Sequence, residues 1–331
     1  MIFCILTNFI KFTKIKQIYK VMKISEKLKI IQKLTEKTQS QIAEKIGVSF
    51  VTFNSWINER SIPRKKKEDK INEIYLEITG QKIIPDEFLT AKEKILEKES
   101  LSHDNIINEI LNNSDIKDNF ILKLTYHTNK IEGSTLSEAE TASIIFDNIS
   151  ISNKTIIEQL EAKNHQAAII YMFNFISQRK RIDENFILKL HSILMNGIIN
   201  NAGLYRNHNV RIVGSNLPTA NYISIPNLMS KLILEINSKE KNIVSLSSRI
   251  HSNFEQIHPF SDGNGRIGRI LLSAMLLKKN YPPAIIKQEE KQYYYTYLNN
   301  SQMKGDYNQL ENFICEGIFS GFDILKRKTR Q

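Results

Sequence analysis

At 331 residues the chain can form one large domain or two ordinary ones, and an apolar share of 41% is enough to fill a packed core. That composition excludes a disordered or fibrous chain, while only two cysteines, Cys4 and Cys315, exclude a disulfide framework and a cysteine-built zinc site and fit a reducing cytoplasm. The net charge of +11 is uneven: Met1–Lys98 holds 20 Lys/Arg against 12 Asp/Glu, so a polyanionic partner would dock on the N-terminal third. The opening Met1–Leu6 is apolar but broken by Asn8, Lys11 and Lys14. It is too short for a membrane span and lacks the charged lead of a secretion signal, and no later stretch reads as a span. Residues 1–21 therefore read as a disordered or misassigned extension, with Met22 as an alternative start.

From 22 to 80 short amphipathic helices alternate with turns. Gln39–Trp56 has the pattern of a helix-turn-helix: Ile42, Ala43 and Ile46 on the first helix, Gly47-Val48 at the turn, Ser49 as cap, and Phe53 and Trp56 facing inward on the second. These positions resemble those of phage-repressor-like DNA-binding modules, whose second helix enters the major groove. The resemblance implies DNA contacts from Gln39, Ser40, Ser49, Phe50, Thr52, Asn54 and Ser55, with Arg64-Lys65-Lys66-Lys67 on the phosphates. A helical bundle that binds only protein is the alternative, since the second helix has few long polar side chains for base edges. Residues 81–115 read as a linker holding Pro85 and a charged helical stretch.

From 116 to 331 helical spacing predominates, with predicted helices over Lys117–Ile131, Thr155–Ser177, Asp183–Ile199, Asn227–Lys239, Val244–Ile257, Asp262–Lys279, Glu289–Asn300 and Tyr307–Lys328. The only strand signals, Val210–Val213 and Tyr222–Ile225, flank Gly214–Pro218 and read as a β-hairpin. The fold class is therefore all-α with one small hairpin.

One run carries the chemistry: His258-Pro259-Phe260-Ser261-Asp262-Gly263-Asn264-Gly265-Arg266-Ile267-Gly268-Arg269. Asp262 can cap the helix that follows, Gly263 and Gly265 let the backbone approach a ligand, and a helix start attracts anions. Arg266 and Arg269, three apart, point two guanidinium forks to one side. Gly263–Gly268 also fits the G-x-G-x-x-G pattern of dinucleotide-binding folds. That pattern needs a preceding strand, whereas Arg249–Ile257 reads as a helix; a Walker loop fails for want of Gly-Lys-Ser/Thr.

The run is identical in pattern to His-Pro-Phe-x-(Asp/Glu)-Gly-Asn-Gly-Arg-x-x-Arg, and the segment resembles the Fic family. The resemblance implies a Fic-type helical core at 116–331 that transfers AMP from ATP to a Ser, Thr or Tyr hydroxyl of a protein. Such a transfer requires a base, a divalent cation and donors for the phosphates. His258 suits the base, held in place by Pro259, and Asp262 suits Mg²⁺. By resemblance, Asn264 and the amides of Gly263 to Gly265 take the α- and β-phosphates, Arg266 the β-phosphate and Arg269 the γ-phosphate, while Phe260 anchors the loop. Asn201–Arg206 with the predicted hairpin resembles the Fic flap, which adds target backbone as a strand. Tyr294 and Tyr295 match a paired-aromatic position near the adenine pocket, with core packing as the alternative.

Thr128-Asn129-Lys130-Ile131-Glu132-Gly133 matches the Fic inhibitory pattern (Ser/Thr)-x-x-x-Glu-(Gly/Asn). It implies an inhibitory helix over 117–133 whose Glu132, with Gly133 as its stop, takes Arg269 from the γ-phosphate. The expected activity is a self-inhibited, ATP- and Mg²⁺-dependent protein adenylyltransferase. The alternatives are a DNA-binding regulator that senses nucleotide through its Fic domain, and a hydrolase that removes AMP. The expected partners are a target protein, the chain itself included, duplex DNA for the N-terminal module and a second copy of the chain, with no membrane.

Overall fold

A computed structural model of the chain describes residues 23–35, 37–79, 86–211 and 218–326. The chain divides into two compact units, Met1–Lys82 and Ile83–Gln331. The expected extension at 1–21 lies outside the described residues.

In the first unit α1 (Ile24–Thr35), α2 (Gln39–Ile46), α3 (Phe50–Ile57) and α4 (Lys65–Thr79) enclose a core that includes Leu28, Ile31, Ile42, Ile46, Phe53, Trp56, Ile71 and Tyr75. Thr38 and Gln41 form a reciprocal capping box at the start of α2, and Gly47 ends it at φ 75°. Ser49 then caps α3 by accepting from Thr52 N at 3.2 Å. The Lys67 ammonium completes the turn, donating to the carbonyls of Ile46 at 3.0 Å and Gly47 at 2.8 Å. The tight turn and the inward Phe53 and Trp56 fall where the sequence pattern puts them.

The second unit holds α5 (Asp86–Ser100), α6 (Ile106–Asn112), α7 (Ser114–Ile131), α8 (Glu138–Ile145), α9 (Ile156–Ser177), α10 (Glu184–Leu194), α11 (Ile225–Ile236), α12 (Ile243–Ile257), α13 (Asn264–Lys278), α14 (Lys291–Lys304) and α15 (Asn308–Leu325). The stretch read as a linker belongs to this unit. Leu89 and Leu96 of α5 and Ile106, Ile107 and Ile110 of α6 are buried in its core. Asn280 ties them in, accepting from Ile106 N at 2.9 Å and donating to the carbonyls of Ser100 at 3.1 Å and His103 at 2.8 Å. Lys92, Glu93 and Lys94 between Leu89 and Leu96 make the stretch look like a spacer; its apolar stripe is what packs.

The predicted hairpin is not found among the described residues. Tyr222–Ser224 is a 3₁₀ turn leading straight into α11, and Val210 and Arg211 form no strand; residues 212–217 lie outside the described residues. The local chemistry explains the difference. Asn221 Oδ1 accepts from Ile223 N at 3.0 Å, and Pro226 sits in the first turn of α11, where its missing N–H costs nothing. Alternating Tyr-Ile-Ser-Ile had mimicked a strand. Thr219 Oγ1 nonetheless donates to Val210 O at 2.6 Å, so the two legs of the segment meet. No strand occurs among the described residues, and none of their helices is long and apolar enough to cross a membrane.

Candidate functional site: the loop between α12 and α13

Helices α12 and α13 pack against one another, and the loop 258–263 that joins them carries the motif. His258 closes α12 in the left-handed conformation, φ 52° and ψ 60°, with its N–H on Phe254 O at 2.9 Å. A β-carbon makes that conformation costly, by roughly 1–2 kcal/mol, so neighbours must enforce it. Pro259 prevents the helix from continuing. The ring's Nδ1 lies 3.2 Å from Glu255 O, an acceptor only; Nδ1 therefore carries the proton and Nε2 is the lone-pair nitrogen. Burial chiefly, helped by the charge of Arg206, lowers the imidazole's pKa against the opposing pull of Glu255 O, Glu132 and Asp262. The ring is neutral and basic at pH 7. One turn earlier, burial pushes the Glu255 carboxyl up to about 7, with Arg269 opposing and Glu132 assisting.

Phe260 is fully buried and anchors the loop, as its apolar ring predicts. Asn264 folds that loop around it: its Oδ1 accepts from Phe260 N and its Nδ2 donates to Phe260 O, both at 2.8 Å. The amide expected on the phosphates is thus engaged in shaping the backbone. Phe260 stacks on His191 of α10, ring centres 3.7 Å apart and planes 5° from parallel. His191 Nδ1 accepts from Gly203 N at 2.8 Å and its Nε2–H donates to Asp262 O at 3.1 Å. Burial lowers its pKa to about 4, keeping this tautomer neutral. Sequence reasoning missed His191; the only signal is one imidazole on the apolar face of Phe186, Ile187, Leu190 and Leu194.

Asp262 does not cap α13. Its Oδ1 accepts from the adjacent Gly263 N at 2.5 Å and faces Arg266 Nη2 at 3.4 Å, while Gly263 takes the cap position at φ 79° without a side-chain bond. A side chain there would meet Met195 Sδ at 2.8 Å, so glycine is required on two counts. The first-turn amides of α13 lack intrahelical acceptors, as at any helix start, and no side chain caps them.

Both motif arginines are buried and both face carboxylates. Arg266 Nη1 donates to Glu161 of α9 at 2.6 Å. Arg269 pairs through Nη2 with Glu132 and through Nε with Thr128 Oγ1 at 3.2 Å. Glu132 closes α7, and Gly133 follows at φ 107°. Its carboxylate lies over the first turn of α13: a β-carbon on Gly265 would stand 2.5 Å from Glu132 Oε1. Burial opposes ionisation of Glu132, but Arg269, with Arg266 and Lys291, more than offsets it and lowers the pKa. Of the aromatic pair, Tyr294 is buried, with its hydroxyl 2.7 Å from His251 Nε2 and its ring centre 5.9 Å from the Arg269 guanidinium. Tyr295 is partly exposed and 5.4 Å from Tyr294 between ring centres.

In the first unit the polar positions of α2 and α3 bond to one another. Asn54 donates to Gln39 Oε1 at 3.3 Å, Ser49 and Thr52 share a bond of 2.9 Å, and Ser55 meets Ser61 at 2.7 Å. Ser40 and Phe50 are exposed, and Lys67 of the basic cluster is committed to the turn between α2 and α3.

Residues 181–276, which contain His191, His258 and both arginines, match the Fic/DOC family. The chain carries a Fic domain. Over 211 residues it is 30% identical to protein adenylyltransferase Fic of Aedes aegypti, covering 62% of this chain and 42% of that protein. The protein of the same name from Nematostella vectensis is 30% identical over 199 residues, 57% of this chain and 45% of its own length. The chain thus spans less than half of these relatives. Among solved structures, residues 134–508 of Caenorhabditis elegans Fic-1 superpose with a TM-score of 0.63 at 19% identity, over 80% of this chain and 77% of that one. A Fic domain-containing signaling protein from Bacteroides thetaiotaomicron gives 0.61 at 21% identity, over 72% and 100%. This part of the chain therefore shares the helical fold of those structures, and the helices that bring Glu132 and Glu161 to it precede the span 181–276 that matches the family.

Proposed function

We propose that this chain is a self-inhibited protein adenylyltransferase, which moves AMP from ATP to a Ser, Thr or Tyr hydroxyl of a protein and releases pyrophosphate. The observation that carries the reading is the Glu132 carboxylate on Arg269 at the first turn of α13. A helix start flanked by two buried guanidiniums is an anion site, and here a side-chain carboxylate occupies the place a phosphate would take. The names of the relatives support the same activity.

In the proposed reaction His258 Nε2 takes the proton of the acceptor hydroxyl as its oxygen attacks the α-phosphorus. The bond from that phosphorus to the bridging oxygen breaks, and pyrophosphate leaves. Arg266 and Arg269 stabilise the phosphate charge, and the first-turn amides of α13 hold the α- and β-phosphates. Mg²⁺ would neutralise phosphate charge. Asp262 fits it: its carboxylate is more than half exposed, and Mg²⁺ asks for one or two carboxylates beside phosphate and water.

The target is a protein, the chain itself included. The first unit is read as a duplex-DNA module, on the strength of the turn between α2 and α3 and the basic residues around it, in a cytoplasmic protein. The test is transfer from α-labelled ATP. His258→Ala should abolish labelling and leave ATP affinity within about threefold, since the base acts on the acceptor. Labelling at the wild-type rate would refute the assignment.

A further inference from the structure

Arg206 is the most completely engaged cation in the second unit. It is 2% exposed, and its four hydrogen bonds all end on main-chain carbonyls. Nε donates to His258 O at 2.7 Å, and Nη2 reaches Ile257 O at 3.3 Å, so the guanidinium closes the C-terminus of α12, where free carbonyls and the helix dipole favour a cation. The other end of the fork grips the segment that follows it. Nη1 donates to His208 O at 2.6 Å and Nη2 to Ala220 O at 2.5 Å, one carbonyl on each leg. Its own N–H donates to Pro259 O at 3.0 Å, and Asn201 Nδ2 to Ser261 Oγ at 2.8 Å, extending the same clamp along the loop. A buried charge satisfied by carbonyls of three separate stretches costs desolvation and fixes their relative positions.

We propose that Arg206 is the positioning residue of this site: it holds the left-handed main chain of His258 and ties to it the backbone at His208 and at Ala220. The inference rests on the reading of His258 as the base. His258 sits in a conformation its side chain disfavours, and its carbonyl is the acceptor of the shortest Arg206 bond to α12. Without the fork the peptide after His258 is free to turn, and the imidazole loses its aim at the acceptor hydroxyl. Proton transfer is steep in such displacements. Arg206 itself touches no substrate.

Electrostatics provide a readout that a merely structural arginine would leave unmoved. The groups acting on the His258 ring are Glu255 O on its own helix, Glu132 at the end of α7, Asp262 on the loop and Arg206. Only Arg206 among them disfavours the protonated ring. Removing its charge therefore raises the pH at which His258 becomes neutral.

The experiment uses the full chain in a Glu132→Gly background, with Arg206→Lys and Arg206→Gln, measuring ATP affinity, label transfer against pH and the melting transition. Arg206→Lys keeps the charge and loses the fork. Both variants should bind ATP within about threefold of the background and lose at least tenfold in transfer at saturating ATP. Arg206→Gln should also move the acid limb of the transfer profile to higher pH, and Arg206→Lys should leave it in place. Transfer at the background rate in either variant overturns the proposal, as does a limb that does not move in Arg206→Gln. If both variants lose ATP binding and the melting transition together, Arg206 is structural and the positioning role is wrong. His258→Ala in the same background separates the readings: if it still transfers label, the base assignment has failed, not the role of Arg206.

Discussion

His258 and His191 stand at the two ends of one short loop, and both are held neutral by burial, yet geometry gives them different work. The proton on Nδ1 leaves His258 with an acceptor nitrogen, whereas His191 has both nitrogens committed, to Gly203 N and Asp262 O. His191→Phe would keep the stack on Phe260 and strand both main-chain groups. A buried polar group left unpaired costs ~1–3 kcal/mol, so a loss of about 2 kcal/mol in urea unfolding is expected, with unchanged m. Two further histidines make stability depend on pH. Burial lowers His165 and His251 to about 3, below the roughly 6.5 of an unfolded chain. The unfolded state therefore binds the extra protons, and stability, full above pH 6.5, falls as the pH descends toward 3. Urea midpoints at pH 7.5 and pH 5 check the sign; a higher midpoint at pH 5 would refute it. The motif residues were legible because they are adjacent in the chain. Arg206 and His191 reach the carbonyls of His258 and Asp262 across 52 and 71 positions, and no spacing rule reports which carbonyl a side chain will find.

At the scale of elements, a cap residue made the starts of α9 and α10 legible, whereas α8, capped by Ser137, and α6, capped by Asn105, were not read as helices. Thr155 and Asp183 cap α9 and α10, accepting from Glu158 N at 3.1 Å and Phe186 N at 2.8 Å. The strand expected at 222–225 does not form, because alternation over four residues carries less weight than a proline in the first turn of a helix. The end of α7 is the element on which regulation turns in the proposed function. Past Glu132 the chain is clamped to α9: Glu158 accepts from Thr135 N at 2.7 Å, and Lys154 donates to Thr135 Oγ1 at 3.0 Å. The same helix presents Glu161 to Arg266. Removing the carboxylate without disturbing that clamp should free Arg269. Glu132→Gly is therefore expected to raise label transfer at least tenfold, self-modification included. Arg269→Ala added to it should cancel the gain, because the freed guanidinium is itself needed. A structural glutamate would behave otherwise, its loss lowering stability and transfer together. Unchanged transfer in a well-folded Glu132→Gly protein would refute self-inhibition.

The whole molecule is organised as two units with separate cores, and its functions are expected to divide along the same line. The basic excess identified the first unit in the sequence, and the apolar positions of α2 and α3 gave its turn. The reading of 81–115 as a linker is the error, because charge along α5 hides Leu89 and Leu96. That error has a measurable consequence. A chain beginning at Ile116 would lack Leu89, Leu96, Ile106, Ile107 and Ile110, all buried in the core of the second unit. Each fully buried Leu or Ile contributes about 1.5–3 kcal/mol, so the loss matches the entire stability of an ordinary domain. A chain beginning at Ile83 keeps them. It should melt cooperatively, bind ATP and transfer label, while the shorter chain should do none of these. Neither should bind duplex DNA. The full chain should bind it with an affinity that falls as salt rises, since each phosphate it neutralises releases counterions. The engaged polar rim of α3 and the commitment of Lys67 to the turn leave Arg64, Lys65 and Lys66 as the expected contacts, which predicts little preference among sequences. Gel shifts of the full chain against a random duplex pool at two salt concentrations decide between outcomes. Salt-insensitive binding, or none, would make the first unit a protein-binding bundle, and the Ile83 chain would then carry every function the molecule has on nucleotides.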